Sequence, residues 1–176
     1  MKLEKNGSGQ FDELQMPGDT DIYETEEDYI DDEEYTEIEY ETLMAESGEQ
    51  KKAIIPENMQ DPRELAKAVV SVLDSKKARG LKVLYVGDKT VIADYFVLCT
   101  GTSNTQLRAL SSELEEKLAE AGIHPGHIEG YNEASWIIMD YASVIVHIFD
   151  RESRNFYNLE KLWGEAEEID ISELLD

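Results

Sequence analysis

VIADYFVLCTGTS, residues 91–103, is the stretch on which the fold turns. Its first ten residues are β-branched and aromatic in character, which predicts a strand. Tyr95 to Cys99 is continuously apolar, as in a strand covered on both faces rather than one. Cys99 reads there as a small buried apolar residue. Gly101-Thr102-Ser103 turns the chain, and Ser103 with Gln106 has the capping-box spacing that opens a helix. Leu107, Leu110, Leu114, Leu118 and Ala121 then line one helical face, and Gly122 stops it. A doubly covered strand feeding a helix implies a sheet packed between layers, in the α/β (α+β) class.

Toward the N-terminus, LKVLYV (81–86) predicts a second strand, closed by Gly87-Asp88. Asp61-Pro62-Arg63-Glu64 supplies an N-cap, a proline at the first helical position and an acid three residues after the cap. Leu65, Val69, Val72, Leu73 and Lys76 follow at helical spacing, and Gly80 is expected to end that helix. Toward the C-terminus, Pro125-Gly126 marks a loop before a short strand around His127-Ile128. SWIIMDY (135–141) and VIVHIF (144–149) are two strands joined across Ala142-Ser143, the spacing of an antiparallel hairpin. A short helix is expected near 152–157, with Leu159, Leu162 and Trp163 capping one end of the core. The sum is a mixed sheet of about five strands flanked by helices, with the domain at 61–164. An acidic C-terminal tail is expected over 165–176, where Ile169, Ile171, Leu174 and Leu175 fall at mixed spacing and either form an amphipathic helix or fray.

Charge divides the chain. The formal net charge is −24. Residues 1–60 hold 19 acidic against 4 basic residues, and residues 61–176 hold 21 against 12. From Asp19 to Glu41 there are 13 acids and no base, so residues 1–60 read as a mostly disordered extension. Tyr23, Tyr29, Tyr35 and Tyr40 recur in it. Such patterning suits docking to a basic partner or to the chain's own domain, but a solvated tail is the simpler reading. Overall, the balance disfavours direct nucleic-acid binding and favours a basic protein partner. A single cysteine excludes an internal disulfide and any Cys-based metal site, and points to a reducing cytoplasm. No run is long and apolar enough for a membrane span, and the N-terminus has neither signal- nor transit-peptide character.

Catalytic chemistry has no positive signature. Gly101-Thr102-Ser103 lies where phosphates sit, yet neither a P-loop nor GxGxxG is present. Asp94, Asp140 and Asp150 lie in or beside strands without the close acidic pair that metal-dependent nucleotidyl transfer needs. His124 and His127 belong to a loop without further ligands, and His147, alternating within a strand with no paired nucleophile, reads as a hydrogen-bonded histidine at the sheet surface. No cofactor or metal is expected. The hairpin is more informative. Alternation puts Trp136, Ile138 and Asp140 on one face and Ile137, Met139 and Tyr141 on the other. Both faces are mostly apolar, so one covers core helices and the other is covered by another element or by a partner.

Three stretches resemble the ribosomal silencing factor (Iojap) family. They are Ala93–Ser103; Glu129-Gly130 with Trp136–Asp140 and Val144–Phe149; and Arg154–Trp163. Their order and spacing match the family over essentially the whole domain. The resemblance implies a nucleotidyltransferase-like fold without a catalytic site. It implies a non-enzymatic translational repressor that binds large-subunit ribosomal protein fourteen and blocks subunit joining under nutrient limitation, with homodimers forming off the ribosome. It places the partner-facing residues at Trp136, Met139, Asp140, Tyr141, Arg154, Tyr157 and Glu160, and scaffold roles at Asp94, Gly101, Ser103, Gly130 and His147. Ala142-Ser143 departs from the Gly-Asp common at the family's hairpin turn, and the acidic extension is not part of the family pattern. A large-subunit assembly factor using the same face, and a nucleotidyltransferase enzyme, are the competing expectations.

Overall fold

The first helix starts where the sequence places its cap. In the computed structural model, which describes Ala53 and residues 60–175, the Asp61 carboxylate accepts from the Arg63 amide at 2.8 Å and Pro62 opens α1 (Pro62–Ser75). The cap answers an amide that has no partner within the helix. The far end differs from expectation. Lys77 takes the left-handed conformation (φ +59°) and the Ala78 amide returns to the Leu73 carbonyl, so the helix is closed before Gly80. Gly80 (φ +54°) instead sits in β1 (Arg79–Tyr85), where the register with the next strand shifts between Arg79 and Lys82.

The second strand, β2, covers Tyr95–Thr100. It begins later than the spacing from Val91 predicts. The Asp94 carbonyl accepts from Val86, and the Asp94 and Tyr95 amides both donate to the Ser143 carbonyl, so 91–94 bends into the sheet instead of extending it. Then α2 (Asn104–Glu120) starts with Ser103 Oγ accepting from the Gln106 amide. The reciprocal half of the expected box is displaced by one residue. Gln106 Oε1 accepts from the amide and hydroxyl of Thr102, not from the Ser103 amide. Gly101 is required by packing, because a Cβ there would run into Leu107.

The chain continues through β3 (His127–Glu129), β4 (Trp136–Asp140), β5 (Val144–Phe149), α3 (Arg151–Tyr157), α4 (Leu159–Leu162), β6 (Glu167–Ile169) and α5 (Ser172–Leu175). The six strands form one mixed sheet in the order β3-β4-β5-β2-β1-β6. The central β2–β5 pair is parallel and its neighbours are antiparallel. Helices α1, α2 and α5 cover one face. Val69, Leu73, Leu110 and Leu114 from the helices pack with Val97, Cys99, Met139 and Val146 from the strands, all of them buried. A smaller cluster of Leu84, Phe96, Leu98 and Phe149 lies on the opposite face, under α3 and α4. Cover on both faces explains why 96–99 is unbroken in its apolarity. Burial also pushes the Cys99 thiol up to about 12.

The expected tail at 165–176 is a correction. Glu167–Ile169 pairs antiparallel with β1, Val83 facing Ile169, and Leu174 is buried against α1. Arg63 and Glu173 are 3.5 Å apart across the same junction. A three-residue strand followed by a single helical turn is too short to show either period, hence the mixed spacing. The acidic extension lies outside the described residues except for Ala53 and Gln60. No helix among the described residues is long and apolar enough to cross a membrane.

Candidate functional site

Strand alternation sends Trp136 to the face opposite α1 and α2, where its indole is half-buried. Its register partner Phe149 stacks on it, with ring centroids 4.9 Å apart and planes 23° apart. Tyr157 also lies against the indole, centroid to centroid 4.6 Å with the planes tilted by 43°, and Tyr157 meets Phe156 edge-on at 5.1 Å. Phe149 is fully buried, Tyr157 is 50% exposed and Phe156 is 81% exposed. The four rings therefore form a ladder from the core to solvent. Leu162 on α4 adds another exposed apolar side chain, and Ile138 and Ile145 on the same sheet face are half-buried. Large aromatic side chains left open in this way are the usual anchors of a protein interface.

The ladder is held from three sides. Asp150 caps α3 through Ser153 at 2.6 Å, and its amide donates to the Ser135 carbonyl just before Trp136. Arg154 turns inward from α3. It donates to the Gly80 carbonyl (2.7 Å) and to Thr100 Oγ1 (2.8 Å), and pairs with Glu160 (2.7 Å). Asn158, left-handed at φ +42°, ends α3, and its side chain accepts from the Lys161 amide to begin α4. The loop before Trp136 is clamped by Arg108, which donates to the carbonyls of Tyr131 and Asn132. Gly130 (φ +76°) starts that loop, because a Cβ there would collide with the Trp136 carbonyl.

Beneath the ladder, Trp136 Nε1 donates to His147 Nδ1 at 3.3 Å. An indole N–H can only donate, so Nδ1 accepts and the ring proton resides on Nε2. His147 is buried, not at the sheet surface as its alternation suggests, and desolvation lowers its pKa to about 4.

Of the seven residues expected to face a partner, the structure brings Trp136, Arg154, Tyr157 and Glu160 to one region. Asp140 lies at the other end of β4, and its carboxylate accepts from the Ala142 amide at 2.7 Å, bracing the hairpin turn. Met139 and Tyr141 are corrections. Both are buried on the α1–α2 side, where Ser111 Oγ donates to Met139 Sδ at 3.4 Å and burial raises the pKa of the Tyr141 phenol. They support the sheet from behind. The scaffold residues occupy joints: Asp94 at the entry to β2, Gly101 and Ser103 at the start of α2, Gly130 before Trp136, and His147 under it. Sequence reasoning misses Phe156 and Arg108. Phe156 carries a signal in its adjacency to Tyr157; Arg108 carries none, since its partners are backbone carbonyls. Among the described residues, no three His, Cys, Asp or Glu side chains gather closely enough to hold a metal ion.

A family model described as "Ribosomal silencing factor during starvation" matches residues 59–176. The chain belongs to the ribosomal silencing factor family. It is 38% identical over 109 residues to the ribosomal silencing factor of Halalkalibacterium halodurans, covering 62% of this chain and 93% of that protein. It is 36% identical to that of Bacillus subtilis over 109 residues, covering 62% and 92%. A solved structure from Chromobacterium violaceum superposes with a TM-score of 0.58 at 30% identity, covering 59% of this chain and 87% of that one. As a ribosomal silencing factor, the protein has a ribosome-associated role in regulating translation. The family match extends through β6 and α5, consistent with their place in the sheet and core.

Proposed function

We propose that this silencing factor is a non-enzymatic repressor that binds the large ribosomal subunit through protein fourteen and occupies the space the small subunit needs. The observation that carries this reading is the Phe149–Trp136–Tyr157–Phe156 ladder, a rigid aromatic surface that opens to solvent on one side of the sheet. Rings packed against one another in this way lose little conformational entropy on binding, which favours them as anchors. The formal charge of −24 suits a basic ribosomal protein rather than ribosomal RNA. Repression then requires no chemistry, only occupancy.

The test is sedimentation with purified subunits at moderate salt, followed by a subunit-joining assay. Wild type is expected to travel with large subunits and to lower the yield of joined ribosomes. Trp136→Ala is expected to weaken binding at least about tenfold, the scale of an interface hot spot, with the fold retained. Unchanged binding by Trp136→Ala would overturn the reading. Association confined to immature particles would support an assembly role on the same surface instead.

A further inference from the structure

We propose that His147 is a positioning residue for the docking face, holding the Trp136 indole in the one side-chain orientation in which it meets its partner. The inference rests on the reading that Trp136 docks on the large subunit.

Stacking on Phe149, with Tyr157 tilted against it, confines the plane of the indole but discriminates weakly between the two orientations related by a half-turn about Cβ–Cγ, because ring–ring attraction has little directionality in plane. The bond from Trp136 Nε1 to His147 Nδ1 supplies the missing restraint. Its geometry follows from register. Phe149 is directly opposite Trp136 and His147 is opposite Ile138, so His147 is the diagonal neighbour of Trp136 on the same face. Long side chains bridge such a diagonal, whereas a β-branched residue would not.

The imidazole packs edge-on against Phe96 at 5.2 Å and near-parallel to Phe149 at 6.1 Å, contacts that an apolar ring would also make. It is 7% exposed in a strand whose other positions are apolar, and Nε2 meets no hydrogen-bond partner among the described residues. A buried donor without a partner destabilises a fold, and an apolar ring would fill the same volume without that penalty. The one polar contact that the imidazole makes among the described residues is to the half-buried Trp136. A core imidazole whose hydrogen bond goes to a half-buried anchor is placed to align that anchor.

Three variants separate the roles. His147→Asn keeps an acceptor near the Nδ1 position; His147→Phe fills the site without one; Trp136→Phe keeps a ring and removes the donor. Each is assayed in the full chain for large-subunit affinity, for thermal unfolding, and for the exchange rate of the Trp136 indole proton by NMR in the free protein. His147→Phe is expected to weaken binding about tenfold, the loss of one buried hydrogen bond, while melting no lower than wild type. His147→Asn should stay close to wild type in affinity and retain slow indole exchange. Adding His147→Phe to Trp136→Phe should weaken binding no further. Wild-type affinity in His147→Phe, equal losses in the Asn and Phe variants, or full additivity would each overturn the proposal. If Trp136→Ala loses binding while His147→Phe does not, only the positioning role fails. If wild type itself does not bind large subunits, the docking reading fails and takes this inference with it.

Discussion

Arg154 Nη1 donates to the Gly80 carbonyl at 2.7 Å, joining positions 74 apart in the chain. The same nitrogen reaches Thr100 Oγ1, and Nε and Nη2 both engage Glu160, so one side chain ties α3 to α4 and to the ends of β1 and β2. The Arg154 side chain is only 12% exposed. Removing it leaves a carboxylate and a carbonyl without their donors. Arg154→Met is expected to destabilise the domain by about 2–3 kcal/mol, read from urea denaturation. Lysine should not rescue it, since a single ammonium cannot reproduce the planar fork. A loss below about 0.5 kcal/mol, the scale of an ordinary surface substitution, would show that α3 is held by other contacts.

Met139 and Trp136 share one strand but belong to opposite faces, and this makes them separable. Met139→Ala opens a cavity between β4 and α2, with an expected loss of about 2–5 kcal/mol. Large-subunit affinity, measured well below the melting temperature of the variant, should be unchanged. An affinity loss matching that of Trp136→Ala would mean that the face toward α2 is the one presented.

Two turn positions carry opposite demands. Ala142 adopts φ +65° in the two-residue hairpin turn, a conformation that costs an L-residue about 1–2 kcal/mol. Ala142→Gly relieves that strain but loosens the unfolded chain, so a net gain of about 0.5–1 kcal/mol is expected. At Gly130 the reverse holds. Gly130→Ala combines φ +76° with a collision against the Trp136 carbonyl, and is expected to cost more than about 2 kcal/mol. Thermal melts of the two variants shifting in the same direction would contradict this account.

The buried imidazole sets a pH dependence. His147 titrates at about 4 in the folded protein against an ordinary 6.5, because burial disfavours its charged form. Above 6.5 both states are neutral there and the group contributes nothing. As pH falls from 6.5 toward 4 the unfolded chain gains a proton that the folded chain does not, so stability falls, by about 3 kcal/mol once pH 4 is reached. Comparing denaturation of wild type with His147→Asn isolates this group from the many carboxylates. Parallel stability curves for the two proteins between pH 7 and pH 4 would show that His147 is not desolvated.

Legibility in the sequence follows locality. The caps at Asp61 and Ser103, the β4–β5 hairpin and the doubly covered β2 rest on neighbours within a few residues, and all are readable. The two-faced character of Trp136–Tyr141 is readable too, from parity alone. Which face stays open is not, because it is decided by α3 and α4 folding back under the Arg154 contacts to Gly80 and Thr100. Sequence reasoning therefore groups Met139 and Tyr141 with Trp136 although they point the other way. Gly80 reads as a helix stop because glycine is the usual left-handed cap, but Lys77 takes that conformation and leaves Gly80 for the register shift in β1. Strand β6 escapes because three residues cannot display an alternation.

The parallel pairing of β2 with β5 has a consequence for synthesis. Through the making of α2, β3 and β4, one edge of Phe96–Cys99 has no strand beside it, and it is covered only when Val144–Phe149 arrives. Until then a growing chain presents an apolar, hydrogen-bond-hungry edge of the kind that recruits chaperones or pairs wrongly with its siblings. Chains interrupted before Val144 should accordingly be insoluble or quickly degraded, while those carried past Phe149 gain the strand that closes the gap.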